Sequence, residues 1–94
     1  MIGEFVIVRT YSAGVHVGVL AEMNGTAVRL KDARRLHRWK GANTLHELSL
    51  HGCDMEYSRV SEPVADILLT QAIEVISCTT KARKNLSDSR WGRG

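Results

Sequence analysis

Residues 15–30 read Val-His-Val-Gly-Val-Leu-Ala-Glu-Met-Asn-Gly-Thr-Ala-Val-Arg-Leu, and this stretch decides the fold. Two runs rich in β-branched residues flank Asn24-Gly25, the dipeptide that most strongly marks a short antiparallel hairpin. Val15 to Met23 is therefore expected as one strand and Thr26 to Leu30 as its partner. Val15, Val17 and Val19 share one face of the first; His16, Gly18 and Leu20 share the other. Gly18 marks a bulge or a close backbone approach.

Upstream, Glu4 to Thr10 (Glu-Phe-Val-Ile-Val-Arg-Thr) has the composition of a strand buried on both sides, with Phe5, Ile7 and Arg9 alternating against Val6 and Val8. Tyr11-Ser12-Ala13-Gly14 supplies the turn into the hairpin. Downstream, Ala33 to Trp39 admits a strand or a helix. A helix there would bury little beyond Leu36 and Trp39, which favours the strand. Thr44-x-x-Glu47 has capping-box spacing and opens a helix of about two turns that Gly52 ends. Cys53 to Val64 reads as a loop with a short edge strand near Tyr57 to Val60. Ile67 to Ile76 reads as one further strand, and Thr79 caps a short basic helix ending at Leu86. Ser87 to Gly94 is polar and glycine-bearing, so residues 1–86 are expected as a single domain and 87–94 as a flexible tail.

The sum is a β-dominated α+β domain. The order Val-Ile-Val, Gly-Val-Leu, Asn-Gly, Val-Arg-Leu-Lys-Asp-Ala between Val6 and Arg34 resembles the bent strands of SH3-like and Sm-like barrels. That resemblance implies a small closed antiparallel barrel with one or two short helices. Closure would also remove exposed strand edges.

At 94 residues the chain makes one small core, and 44% hydrophobic content argues against disorder. No apolar run approaches the roughly 18 residues of a membrane span, and no leader-like pattern opens the chain, so a cytoplasmic, membrane-free protein is expected. Cys53 and Cys78 are then expected as reduced thiols. The net charge of +3 favours anionic partners only where it is clustered, and Lys31 to Lys40 clusters it. Arg34, Arg35, Arg38 and Lys40 surround Trp39 there, with Arg9 and Tyr11 available from the end of the first strand. Arginine forks bind phosphate bidentately and an adjacent indole stacks a base, so these seven residues are the candidate site. The plainer reading makes the arginines a solvated strand face and Trp39 a core anchor. The Thr10 to Gly14 turn offers further donors to an anion.

Catalysis and metal binding find no comparable support. His46 and His51 do not share a helical face, and His51 with Cys53 lacks a second ligand pair. Ser12 and His16 have no third group to orient a base. No enzyme activity, metal or cofactor is expected.

Across nearly the whole chain the sequence resembles a family of short, uncharacterised phage and prophage proteins. The resemblance is carried by Val8-Arg9-Thr10-Tyr11-Ser12-Ala13-Gly14-Val15, Ala33-Arg34-Arg35, Trp39-Lys40-Gly41-Ala42 with Thr44-Leu45, and Ile67 to Ile76. His37-Arg38 departs from the aromatic residues usual at that place. The resemblance implies a phage accessory protein, by analogy one that captures a host defence nucleotide. The leading expectation is a homo-oligomeric, non-enzymatic binder of a small phosphorylated nucleotide-like ligand. An Sm-like RNA- or DNA-binding module and a protein inhibitor of a host enzyme are the alternatives.

Overall fold

The hairpin forms one residue later than its signal: Asn24 still pairs with Ala27, and Gly25-Thr26 make the loop. In the computed structural model, which describes residues 1–93, strands β1 (Phe5–Thr10), β2 (Val15–Asn24) and β3 (Ala27–Arg38) build the centre of a six-stranded antiparallel sheet. The segments read as Thr26 to Leu30 and Ala33 to Trp39 are one continuous strand. Asp32 makes that possible by adopting a φ of 50°, which inserts an extra residue opposite Gly18 between the Val19–Lys31 and Val17–Arg34 pairs. A side chain at Gly18 would press on Lys31 O at 3.0 Å, so the bulge needs the glycine.

Helix α1 (Leu45–His51), strands β4 (Arg59–Val60), β5 (Val64–Leu69) and β6 (Ala72–Ser77), and helix α2 (Thr80–Asp88) follow. The order is β4-β3-β2-β1-β6, and β5 lies beside β4 along the same edge of β3. Both helix caps form as read. Thr44 Oγ1 accepts from Glu47 N–H at 3.1 Å and Thr79 Oγ1 from Ala82 N–H at 3.1 Å. Glu47 departs from the box by accepting from Asn43 N–H at 3.2 Å. Gly52 closes α1, donating to Leu48 O at 2.8 Å.

Burial on both faces of the sheet accounts for the rest. Phe5, Ile7, Val17 and Leu36 meet Leu48 of α1 and Leu86 of α2. The opposite face packs Val6, Val8, Leu20, Val28, Leu30, Ala33, Leu69 and Ala72 together with no helical residue among them. A single face that buries itself requires a sheet curled over its own surface.

The curl stops short of a closed SH3-like or Sm-like barrel. Residues 67–76 are two strands, interrupted at Thr70-Gln71, and β5 and β6 share no ladder. Their connection is tied elsewhere. Tyr11 N–H donates to Gln71 O at 2.9 Å, Ala72 N–H to Thr26 O at 3.0 Å, and Thr26 Oγ1 to Thr70 O at 3.1 Å. β5 is thereby directed along β3 and β6 along β1. The helices complete the core on the second face, so closure is not needed for burial.

The segment expected as a flexible tail is docked over its described part. Asp88 ends α2, and beyond it Arg90 O accepts from Val60 N–H at 3.1 Å. Gly92 N–H donates to Ser58 O and Arg93 N–H to Glu56 O, both at 2.8 Å. Edge hydrogen bonds left by the two-residue β4 explain the docking. Gly94 lies outside the described residues.

His16 is buried on the curled side, within 2.9 Å of Ala13 O. Burial lowers its pKa first, and the charge of Arg35 lowers it further against that carbonyl contact. A base whose pKa falls on folding stabilises fully above its unfolded value, about 6.5, and loses that contribution as pH drops below it. The melting temperature should therefore fall as pH drops below about 6.5, and His16→Gln should flatten that limb. An unchanged limb in the variant would assign the acid sensitivity to other groups.

Candidate functional site

The structure separates the arginines that the sequence groups. Arg34 is buried, 6% exposed, and its guanidinium is filled with backbone carbonyls. Nε donates to Ser61 O at 2.7 Å, Nη1 to Leu86 O and Ser87 O at 2.8 Å each, and Nη2 to Ser89 O. The cation thus sits at the C-terminal end of α2, where the helix dipole favours positive charge. Burial, and then the charge of Arg90, lower its pKa. These donors join β3, the β4–β5 connection and α2, and the role is architectural.

Strand alternation sends Arg35 to the other face, registered with His16 and exposed. Arg38 is exposed across from Arg59 on β4. Trp39 is half-buried against the helix-side core. Lys40 is exposed, its backbone held by Ser58 Oγ at 3.0 Å and by Asp54 N–H at 2.8 Å. Arg9 pairs with Glu74 at 3.3 Å on the far side of β2, and Tyr11 is 79% exposed beside it. These seven residues do not meet in one concavity.

A different set does. A groove of about 780 Å³ lies on the outer face of the sheet beside α2. Phe5, Val19 and Val60 give it an apolar floor in which Arg34 is set. Its walls are Arg83 and Ser87 of α2, the Ser61-Glu62-Pro63 connection, and Arg90 with Trp91. The Arg83 guanidinium lies 5.6 Å from the Phe5 ring centroid. Arg90 Nη1 reaches the carbonyls of Asp88 and Ser89 at 3.0 Å each, capping the helix from outside as Arg34 does from inside. Trp91 stacks on His37 with centroids 5.0 Å apart, and Arg59 lies 5.3 Å from its ring. Asp32 and Glu62 supply two carboxylates at the margin. Arg34 and Arg35 also line a smaller recess of about 230 Å³ with His16 and Ile67.

The dimensions fit a small molecule, and the chemistry offers cations for an anionic group, carboxylates for hydroxyls and an apolar floor for a ring. Among the described residues no three His, Cys, Asp or Glu side chains gather as a metal site would require. Cys53 and Cys78 carry free thiols, and burial pushes Cys78 up to about 12, which keeps it protonated. No helix among the described residues is long and apolar enough to cross a membrane.

A family model described as a domain of unknown function, DUF6948, matches residues 3–86. The chain belongs to the DUF6948 family. No curated protein and no solved structure matches it. The DUF6948 match takes in Arg34 and Arg83, whereas Arg90 and Trp91 come after it. Sequence reading passed over both of these, although Arg90-Trp91-Gly92-Arg93 has the cation–aromatic alternation that singled out Lys31 to Lys40. Arg83 carried only a weak signal, being one of several cations on a capped basic helix.

Proposed function

We propose that this DUF6948 protein is a non-enzymatic binder of a small phosphorylated, nucleotide-like ligand, held in the groove between α2, residues 61–63 and residues 90–91. The observation that carries the reading is that Arg83 and Arg90 line one groove with an apolar floor, and exposed Trp91 lines it with them. Guanidinium forks engage phosphate oxygens, the floor and indole receive the base, and Asp32 and Glu62 accept from ribose hydroxyls. The motif resemblance to phage and prophage proteins supports a role in sequestering a host defence signal in the host cytoplasm. Among the described residues β6 ends the strand order, and an edge strand of this kind supports assembly into a homo-oligomer.

Thermal-shift titration with AMP, ADP and 3′,5′-cyclic AMP tests the reading. Ligand at about 100 times its Kd should stabilise by about 2.7 kcal/mol, a rise on the order of 10 °C for a domain of this size. Arg83→Ala and Arg90→Ala should each weaken binding at least tenfold, as loss of a charge-assisted bond of about 1.5–3 kcal/mol requires. Arg35→Ala should leave the shift intact. Salt-sensitive binding of oligonucleotides without a nucleotide shift would instead indicate a nucleic-acid module. No response to either, with a stoichiometric host enzyme bound, would indicate an inhibitor.

A further inference from the structure

The groove is walled by a segment with an unusual attachment. Ser89 is fully buried and anchored, its N–H and Oγ both donating to Asn85 O at 3.0 and 2.8 Å. From there the chain runs outward along β4, held by the backbone bonds at Val60, Ser58 and Glu56. Arg59 adds side-chain bonds to Gly92 O at 3.2 Å and Arg93 O at 3.3 Å. Trp91 remains 55% exposed, so little apolar burial secures the segment. Segments held by a few backbone bonds with little apolar burial open most readily. Gly92 lies so close to the segment entering β4 that a Cβ there would overlap the carbonyl oxygens of Ser58 and Glu56. The docked position therefore requires glycine, and docking fixes the Arg90 backbone and places Trp91 at the groove.

We propose that residues 90–93 are a strap whose docking on β4 and phosphate binding between Arg83 and Arg90 form one coupled equilibrium. This rests on the ligand class proposed above. Only the docked strap fixes the Arg90 backbone and sets Trp91 in the groove lining, so ligand binds that state better and, by linkage, holds the strap closed. Arg34 joins the two, because it lines the groove floor and grips Ser89 O at the strap's base. When only a fraction of molecules is docked, apparent affinity falls by that fraction.

The test uses the full chain labelled with 5-fluorotryptophan, whose two indole sites report separately on Trp39 and Trp91. Gly92→Ala should move the Trp91 resonance to that of a solvent-exposed indole and leave Trp39 in place. Affinity for whichever of AMP, ADP and 3′,5′-cyclic AMP the wild type binds should fall about tenfold as the docked population falls to about a tenth. Saturating nucleotide should return the Trp91 resonance toward its docked position. Arg59→Ala, which removes two bonds without steric conflict, should act in the same direction to a smaller extent. Undocking of Trp91 with unchanged affinity in either variant overturns the coupling, as does a Trp91 resonance that neither variant moves. A wild-type protein that binds none of the three nucleotides overturns the ligand reading and the coupling with it, while the Trp91 resonance still reports whether the strap docks.

Discussion

Arg34→Ala should lower the melting temperature by roughly 15 °C, the largest effect of any single charge removal in this protein. The substitution leaves the carbonyls of Ser61 and Leu86 without this side chain's bonds, and those of Ser87 and Ser89 with only the Arg90 guanidinium. Each hydrogen bond from a charged group contributes about 1.5–3 kcal/mol, and water entering from the groove would replace part of them. A net loss of about 3 kcal/mol follows, a large share of the 5–15 kcal/mol typical of a domain. Arg34→Lys keeps the charge but cannot span carbonyls on two sides of a planar fork, so about 2 kcal/mol should still be lost. Arg35→Ala, one residue away on the exposed face, should stay within about 0.5 kcal/mol. Denaturant unfolding of the three variants checks this, and equal losses at Arg34 and Arg35 would contradict the architectural role.

Gly52→Ala should destabilise by about 3 kcal/mol for two separate reasons. Gly52 has a φ of 82°, a left-handed conformation that alanine resists. A Cβ at that position would also collide with the Asn85 side chain. Asn85 cannot easily retreat. Its Oδ1 accepts from Cys53 N–H at 2.8 Å and its Nδ2 donates to Cys53 O at 2.9 Å, a paired contact fastening α2 to the end of α1. Asn85→Ala alone should lose about 2 kcal/mol through those two bonds. The double variant should lose less than the sum, because removing the amide clears the collision and leaves only the backbone strain. Additive losses in urea unfolding would show that the collision is relieved some other way.

What the sequence disclosed was local, and its gaps were long-range. Gly25, Thr44, Gly52 and Thr79 act through their immediate neighbours, so turn and cap chemistry located them. The two-sided burial of Phe5 to Val8 was likewise visible, since a strand with apolar residues on both faces needs cover on both. Arg34 is different. Whether a guanidinium in an alternating strand meets solvent or carbonyls depends on where the end of α2 arrives, 52 residues later. The basic cluster looked like one surface because composition does not show strand phase, which splits Arg34 from Arg35. The docking of residues 90–93 is not legible for a related reason: polar, glycine-bearing composition describes a free end and a docked edge equally well. Barrel closure was inferred from the need to cover edges. The pinned Thr70-Gln71 connection and the two helices meet the demand for burial in another way.

The most direct test of the account is a backbone NMR titration of the full chain with the nucleotide that gives the largest thermal shift. Perturbations confined to Arg83, Ser87, Arg90, Trp91 and the Ser61–Glu62 segment are the predicted result. Perturbations centred on Arg9, Tyr11, Arg35 and Lys40, with the groove residues unmoved, would contradict it.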